Sequence, residues 1–266
     1  MVIDDMNNKK QINKTKMPVL FIGHGAPNII LQNDPVLALW KEQVSNILTP
    51  TGILVISAHW ETNKFTIGGN IDQKTIHDFS GFEKNLHQFQ YRAPSACQLA
   101  QNIGEKLCLE IDHNRGLDHG SWVPLSVMYP DENIPVMQLS VSPNLSLKTH
   151  YQLGKKLSYL REQGILIIAS GVIVHNLNLL NWQDKYAHPR TWATMFFNDF
   201  NQAVMDKEHS VLTNPYHFIH AVKALASIEH YLPFLIALGA SENSTITPFA
   251  NYWRFSNLSM HSYRFE

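Results

Sequence analysis

Thiols are nearly missing from this chain: its 266 residues hold two cysteines, Cys97 and Cys108. Their spacing makes no CxxC redox or zinc motif, and two thiols build no disulfide framework in a chain of this length. Free, partly buried thiols in a reducing compartment are the expectation. Long apolar runs are missing too, since none approaches the roughly 20 residues of a membrane helix. Residues 1–16 are polar and lack the apolar core of a secretory signal, which predicts a loose tail and a cytoplasmic location. Charge of one sign is scarce: the formal net charge is −1 and no long basic run occurs, so neither a nucleic-acid nor a membrane partner is expected. Phosphate-cradling loops of the GxxxxGK[ST] and GxGxxG kinds do not occur. No Pro-, Gly- or Ser-rich linker and no internal repeat divides the chain, so one domain is predicted over 17–266.

What the chain has in quantity is histidine, 14 residues, within a composition that is 44% hydrophobic and 16% charged and therefore able to bury a large core. Ile53-Leu54-Val55-Ile56 reads as a strand buried on both faces and runs into Ser57-Ala58-His59-Trp60. Val19-Leu20-Phe21-Ile22 similarly meets Gly23-His24-Gly25, and Ile165-Leu166-Ile167-Ile168 leads to Val174-His175-Asn176. Any one of these histidines could be a satisfied polar group at the rim of the core. Three strands that each deliver an imidazole at or beyond the carboxyl end are a different matter, because strand ends of one sheet share one crevice. Imidazole is the common ligand of Zn, Fe, Cu and Ni, so the repetition points to a metal site.

The rest of the chain alternates helices with strands. Asp34-Pro35 opens a helix bearing Leu37, Trp40 and Val44; further helices are predicted from Ser95 to Leu107, Leu147 to Arg161 and Trp192 to Met205. Phe65–Gly69, Leu107–Ile111, Ile134–Val141 and Leu258–Tyr263 read as strands, and Ser227 to Gly239 as a capped helix. The predicted fold class is α/β: a single three-layer domain with a mostly parallel or mixed sheet between helices. Two loops carry polar chemistry. Thr75 to Phe82 is an aromatic loop with the pair His77-Asp78, which either ties the loop down or contacts substrate. Gly116 to Pro124 is a glycine-bracketed turn that offers His119 to a cavity, with Asp118 adjacent. Trp60, Phe79 and Trp122 would suit the walls of an aromatic site, and Arg92, Arg115, Lys185 and Arg190 are the candidate cations for a substrate carboxylate.

Six motifs now stand in order: Gly23-His24-Gly25-Ala26-Pro27, Ser57-Ala58-His59-Trp60, Thr75-Ile76-His77-Asp78-Phe79, Asp118-His119-Gly120-Ser121-Trp122, Ala169-Ser170-Gly171 through His175-Asn176-Leu177, and Glu229-His230-Tyr231-Leu232-Pro233. Between Met17 and Tyr263 the chain resembles the DOPA 4,5-dioxygenase type of class III extradiol ring-cleaving dioxygenase. The resemblance implies a catalytic domain in which one metal ion, zinc or ferrous iron, is held by the histidines matching His24, His59, His175 and His230. It implies a catechol and O2 as substrates, with His119 as an acid/base or substrate-contacting residue; His77, Asp78 and Trp122 are the candidate substrate contacts read from the loops themselves. Two departures fall near the substrate end: Ser227-Ile228 stands where the family often has Thr-Pro, and the loop 215–220 adds His217 and His220 without a place in the pattern.

Coordination chemistry sharpens the implied mechanism. An octahedral cation offers six positions; a catechol bound through both oxygens takes two and O2 one, which leaves three for protein. His24, His59 and His230 are therefore expected to stay bound during turnover, with His175 swinging free or standing close by as a second acid/base beside His119. Zinc does not pass an electron to O2, so ring cleavage requires Fe(II). Glu229, adjacent to His230 on a helix, is expected to face elsewhere. Two other readings fit the same residues: a zinc hydrolase working through a metal-bound water, and a non-enzymatic histidine pocket.

Overall fold

The protein is described here by a computed structural model covering residues 16–266; residues 1–15 of the expected polar tail lie outside the described residues. The strands in chain order are β1 (Val19–Gly23), β2 (Gly52–Glu61), β3 (Thr66–Gly68), β4 (Glu110–Asp112), β5 (Val136–Val141), β6 (Ile165–Gly171), β7 (Ile246–Phe249), β8 (Trp253–Arg254), β9 (Leu258–Ser259) and β10 (Ser262–Phe265). Eight of them form one sheet in the order β4-β3-β5-β2-β6-β1-β10-β7, and β8 with β9 makes a separate ribbon. The centre, β5-β2-β6-β1, is parallel, while β10 and β7 close one edge antiparallel and β3 pairs antiparallel with β5. The expected mostly parallel, mixed sheet is thus present.

Six longer helices cover it: α1 (Pro35–Ser45), α2 (Cys97–Leu107), α3 (His119–Met128), α4 (Leu147–Leu157), α5 (Thr191–Met205) and α6 (Leu232–Ala240). The two-residue period of a strand divides the central residues between two cores. Val19, Phe21, Leu54, Ile56 and Ile167 face one layer, where Ile103 of α2, Leu153 of α4, Phe196 and Phe200 of α5 and Phe234 of α6 are buried. Leu20, Ile22, Ile53, Val55 and Ile168 face the other, against Trp40 of α1 and Trp122 and Leu125 of α3. Each such side chain contributes about 1.5–3 kcal/mol on leaving water. This two-sided burial explains why the strands read as unbroken apolar runs rather than alternations. Every residue of α6 is buried, which accounts for its lack of a polar face.

Four expectations need correction. Gly116–Pro124 is not a free turn: Asp118 accepts from the Ser121 amide and caps α3, so His119 is the first residue of a helix. The last predicted strand, Leu258–Tyr263, is broken at Met260-His261 into β9 and β10, which belong to different sheets. The strand predicted at Leu107–Ile111 lies later, at Glu110–Asp112. The stretch from Ser227 divides into a 3-10 turn, Ile228–His230, and α6, because Pro233 confines regular helix to its own side. Asp34, by contrast, caps α1 as predicted, accepting from the Val36 amide at 3.1 Å.

Candidate metal centre

The carboxyl end of β6 organises the site. β6 lies between β1 and β2 in parallel register, with Gly23 opposite Gly171 and Ser57 opposite Ser170. His24 follows β1, where Gly25 at φ +66 turns the chain, and its amide donates to the Gly171 carbonyl at 3.3 Å. His59 lies near the end of β2. His230 comes from the opposite side: its carbonyl accepts from the Val172 amide at 3.0 Å, and a Cβ on Gly171 would collide with it. A glycine at 171 is what lets this turn sit on the strand end.

The three rings meet. One nitrogen from each of His24, His59 and His230 lies within 4.8 Å of the others. The Nε2 atoms of His24 and His59 are 3.0 Å apart, and the Nε2 of His230 is buried without a hydrogen-bond partner among the described residues. Two imidazole lone pairs at that distance repel unless a proton or cation lies between them. Two neighbouring ligands of an octahedral cation, each about 2.1 Å away, stand at about that separation. Two of the opposite nitrogens are already hydrogen-bonded, His24 Nδ1 to Ser170 Oγ at 3.0 Å and His230 Nδ1 to Glu229 Oε1 at 3.0 Å, while His59 Nδ1 stands 3.7 Å from Asp78 Oδ2, beyond hydrogen-bond reach. Anchoring Nδ1 in this way leaves the Nε2 of His24 and of His230 for a metal. Burial above all, then the neighbouring imidazoles, holds His24 and His230 well below the ordinary histidine pKa; His59 is lowered too, by burial and by His119, against the opposing pull of Asp78. All three are thus neutral donors at neutral pH. The residues present fit a single metal ion.

Glu229 does not face elsewhere as expected. The 3-10 turn, unlike an α-helix, lets its carboxylate bend back onto its neighbour's Nδ1, and burial raises its pKa. His175 is not in the converging group. Its ring stacks on His230, centroids 3.6 Å apart and 14° from parallel, and its own nitrogen contacts group with Glu229 and His230. Burial lowers its pKa to about 4.

His119 lies beside the three, its ring 3.9 Å from that of His59. Asp78 holds it twice, accepting from the His119 amide at 3.0 Å and from Nδ1 at 2.9 Å. Burial would raise the Asp78 pKa, but the hydrogen bonds from His119 and the electrostatic interaction with His119 and His59 outweigh it and bring the carboxyl to about 2. The carboxylate that reaches His119 is therefore Asp78, from a distant loop, and not the adjacent Asp118. Asp118 is fully buried and serves the framework: it accepts from Ser57 Oγ at 2.7 Å, from Arg115 at 2.6 Å and from Gln138.

A cavity of about 370 Å³ opens on His24, His59, His119, His175 and His230 and is walled by Phe79, Phe82, Leu177, Leu180, Trp182 and Phe255. His77 and Trp122 stand behind this wall. The His77 Nε2 meets the Phe89 carbonyl at 2.9 Å, while Trp122 is wholly buried, stacked on Phe89 and donating to the Ile76 carbonyl. Trp60 is also buried, with Arg115 over its ring. Trp182 and Phe255, which sequence reasoning missed, sit in irregular segments with no periodicity to mark them. His217 and His220 are exposed and outside the cavity.

The buried imidazoles have a consequence for stability. Burial lowers His175 to about 4 and His261 to about 3. An unfolded chain takes up those protons from about pH 6.5 downward, and the folded chain does not. Their stabilisation is complete above pH 6.5 and is lost as pH falls towards 4 and 3 respectively. Urea unfolding of metal-free protein should show a loss of about 2 kcal/mol per buried imidazole between pH 7 and 5. A flat profile over that range would show the rings to be solvated.

The fold is of the parallel α/β kind, and its histidine cluster could hold a metal ion. The chain belongs to the family described as the catalytic LigB subunit of aromatic ring-opening dioxygenase, whose model matches residues 22–266. It is an extradiol ring-opening dioxygenase, an oxidoreductase, which sets aside the hydrolase and binding-module readings. It is 37% identical to 4,5-DOPA dioxygenase extradiol of Escherichia coli (strain K12), over 86% of this chain and 87% of that one. The enzyme of the same name from Beta vulgaris is 36% identical over 98% and 99%. A crystal structure of an uncharacterized Escherichia coli K12 protein superposes with a TM-score of 0.81 at 32% identity, covering 94% of this chain and all of that one. Among the described residues no helix is long and apolar enough to cross a membrane.

Proposed function

We propose that this chain cleaves a DOPA-like catechol beside its hydroxyl pair, inserting both atoms of O2 to give a muconic semialdehyde, with one Fe(II) held by His24, His59 and His230. The observation that carries the reading is the convergence of one ring nitrogen from each of His24, His59 and His230, with the Nδ1 of His24 tied to Ser170 and that of His230 to Glu229. Ferrous iron bound there would supply acidity to the catechol hydroxyls, an electron to O2, and positions for both guests.

The residues around it do the proton work. Asp78 accepts from Nδ1, so His119 carries its proton there and keeps a lone pair on Nε2. That nitrogen has no hydrogen-bond partner among the described residues and is positioned to take the second catechol proton. The resulting imidazolium, stabilised by a carboxylate that remains ionised down to about pH 2, then returns a proton as the ring opens. His175, neutral down to about pH 4 and stacked on His230, is the second such group. Phe79, Phe82 and Phe255 exclude water and present flat apolar walls to an aromatic ring. The names of the relatives support a DOPA-like substrate.

Anaerobic loading with Fe(II), followed by 3,4-dihydroxyphenylalanine in air, tests the reading. One O2 consumed per yellow product is expected, and zinc-loaded protein should be inert. Equal turnover with zinc, or turnover under argon, would refute it.

A further inference from the structure

The histidine cavity is not closed at its outer end. Ala26, Phe82, Trp182 and Phe255 wall it and also wall a second cavity of about 650 Å³. The two chambers are therefore adjacent and share a partition, but their chemistry differs. Beyond the partition the lining turns polar, with Asn28, Gln32 and Glu83. Gln32 Oε1 accepts from Arg254 Nη2 at 2.7 Å and from Lys185 Nζ at 3.3 Å. Its carbonyl end is thus engaged, and its Nε2 has no partner among the described residues. Arg254 is wholly buried behind it, close to Asp34, so its charge is answered within the protein. Glu83 lines this chamber, and Lys185 stands behind its Gln32 wall, its Nζ 3.3 Å from Gln32 Oε1 and over the Tyr186 ring; among the described residues neither charge has an ion-pair partner.

The partition is held in place at a cost. Phe255 and Ser256 both have positive φ, 51° and 69°, although neither is glycine. Such backbone is strained and persists where the surroundings over-determine it. Three backbone hydrogen bonds do so here: the Asn181 amide to the Phe255 carbonyl, the Arg190 amide to the Ser256 carbonyl, and the Phe255 amide to the Lys185 carbonyl. The last ties the lysine to the aromatic wall. Of the four cations that sequence offered for a substrate carboxylate, Arg115 is paired with Asp118 and Arg190 is turned onto Ser256 Oγ; neither Arg92 nor Lys185 lines a cavity directly, but Lys185 alone of these two is hydrogen-bonded to a chamber residue, Gln32.

We propose that the outer chamber is the subsite for the zwitterionic α-amino acid head of a catechol whose ring lies at the histidines. Lys185, with the Gln32 amide, takes the carboxylate and Glu83 the ammonium. This rests on the ring-cleavage reading above and adds to it the residues that choose among catechols.

The test is anaerobic calorimetry on the Fe(II)-loaded protein with three ligands: 4-ethylcatechol, 3-(3,4-dihydroxyphenyl)propanoate and 3,4-dihydroxyphenylalanine. K185M should raise the Kd of both carboxylates about tenfold relative to 4-ethylcatechol, the size of one charge-assisted hydrogen bond. E83Q should weaken only the amino acid relative to the other two. Both positions are at the rim rather than in a core, so both variants should fold. Kd ratios that stay at their wild-type values, or a K185M variant that weakens all three ligands alike, would overturn the proposal. Shifted ratios followed by no product on admitting air would uphold the subsite and overturn ring cleavage, so the two readings fail separately.

Discussion

Replacing His230 by alanine should abolish metal retention and ring cleavage together. Its Nε2 is buried and has no hydrogen-bond partner among the described residues, and its ring converges with those of His24 and His59. Loss of one of three ligands leaves two imidazoles, and even residues behind such ligands typically cost about 10–100-fold in metal affinity when mutated. The expected result is a fall from one metal per chain to near zero after dialysis, with activity at background. Circular dichroism should stay unchanged, because the turn that carries residue 230 is fixed to β6 through its backbone. Retention of stoichiometric metal by H230A would move the site elsewhere. E229Q should be milder, since an amide oxygen still accepts from His230 Nδ1.

The second large effect belongs to Asp78. D78N retains the shape of the loop and can still hydrogen-bond to His119, but removes the charge that stabilises a protonated ring and permits the opposite tautomer. A loss of about 10²–10⁴ in kcat is expected, the range of one general acid/base contribution. Metal content and KM should change little, because Asp78 stands 3.7 Å from His59 and behind the cavity wall. With Asp78 ionised down to about pH 2, the acid limb of the wild-type kcat profile does not come from this carboxyl. A D78N enzyme with wild-type kcat would assign His119 a purely structural role.

The parts of the fold that were legible in sequence are those governed by short-range periodicity. Unbroken apolar runs such as Ile53–Ile56 and Ile165–Ile168 reported burial on both faces, which only a covered parallel sheet supplies. The histidines at 24 and 59 were readable because strand ends share a crevice. The third member of the cluster came from elsewhere: the ring stacked beside it, His175, is the one that strand-end reasoning selects, whereas His230 arrives on a 3-10 turn whose position depends on Gly171. Asp78 was visible as a polar residue in an aromatic loop, but its bond to His119 spans 41 positions, and nothing local encodes it. Adjacency left open whether Asp118 reaches the same ring, and its side chain instead turns inward to cap α3. Phe255 and Trp182 had no signal at all, because a wall made from irregular chain leaves no repeat to detect.

Crystals of iron-loaded protein, measured on both sides of the iron absorption edge, put the central claim to its most direct test. One anomalous peak per chain is expected, at about 2.1 Å from the Nε2 atoms of His24, His59 and His230 and beyond bonding distance of His175. A peak that shares only two of those nitrogens, or that closes its coordination with a fourth imidazole in the presence of catechol, would contradict the account.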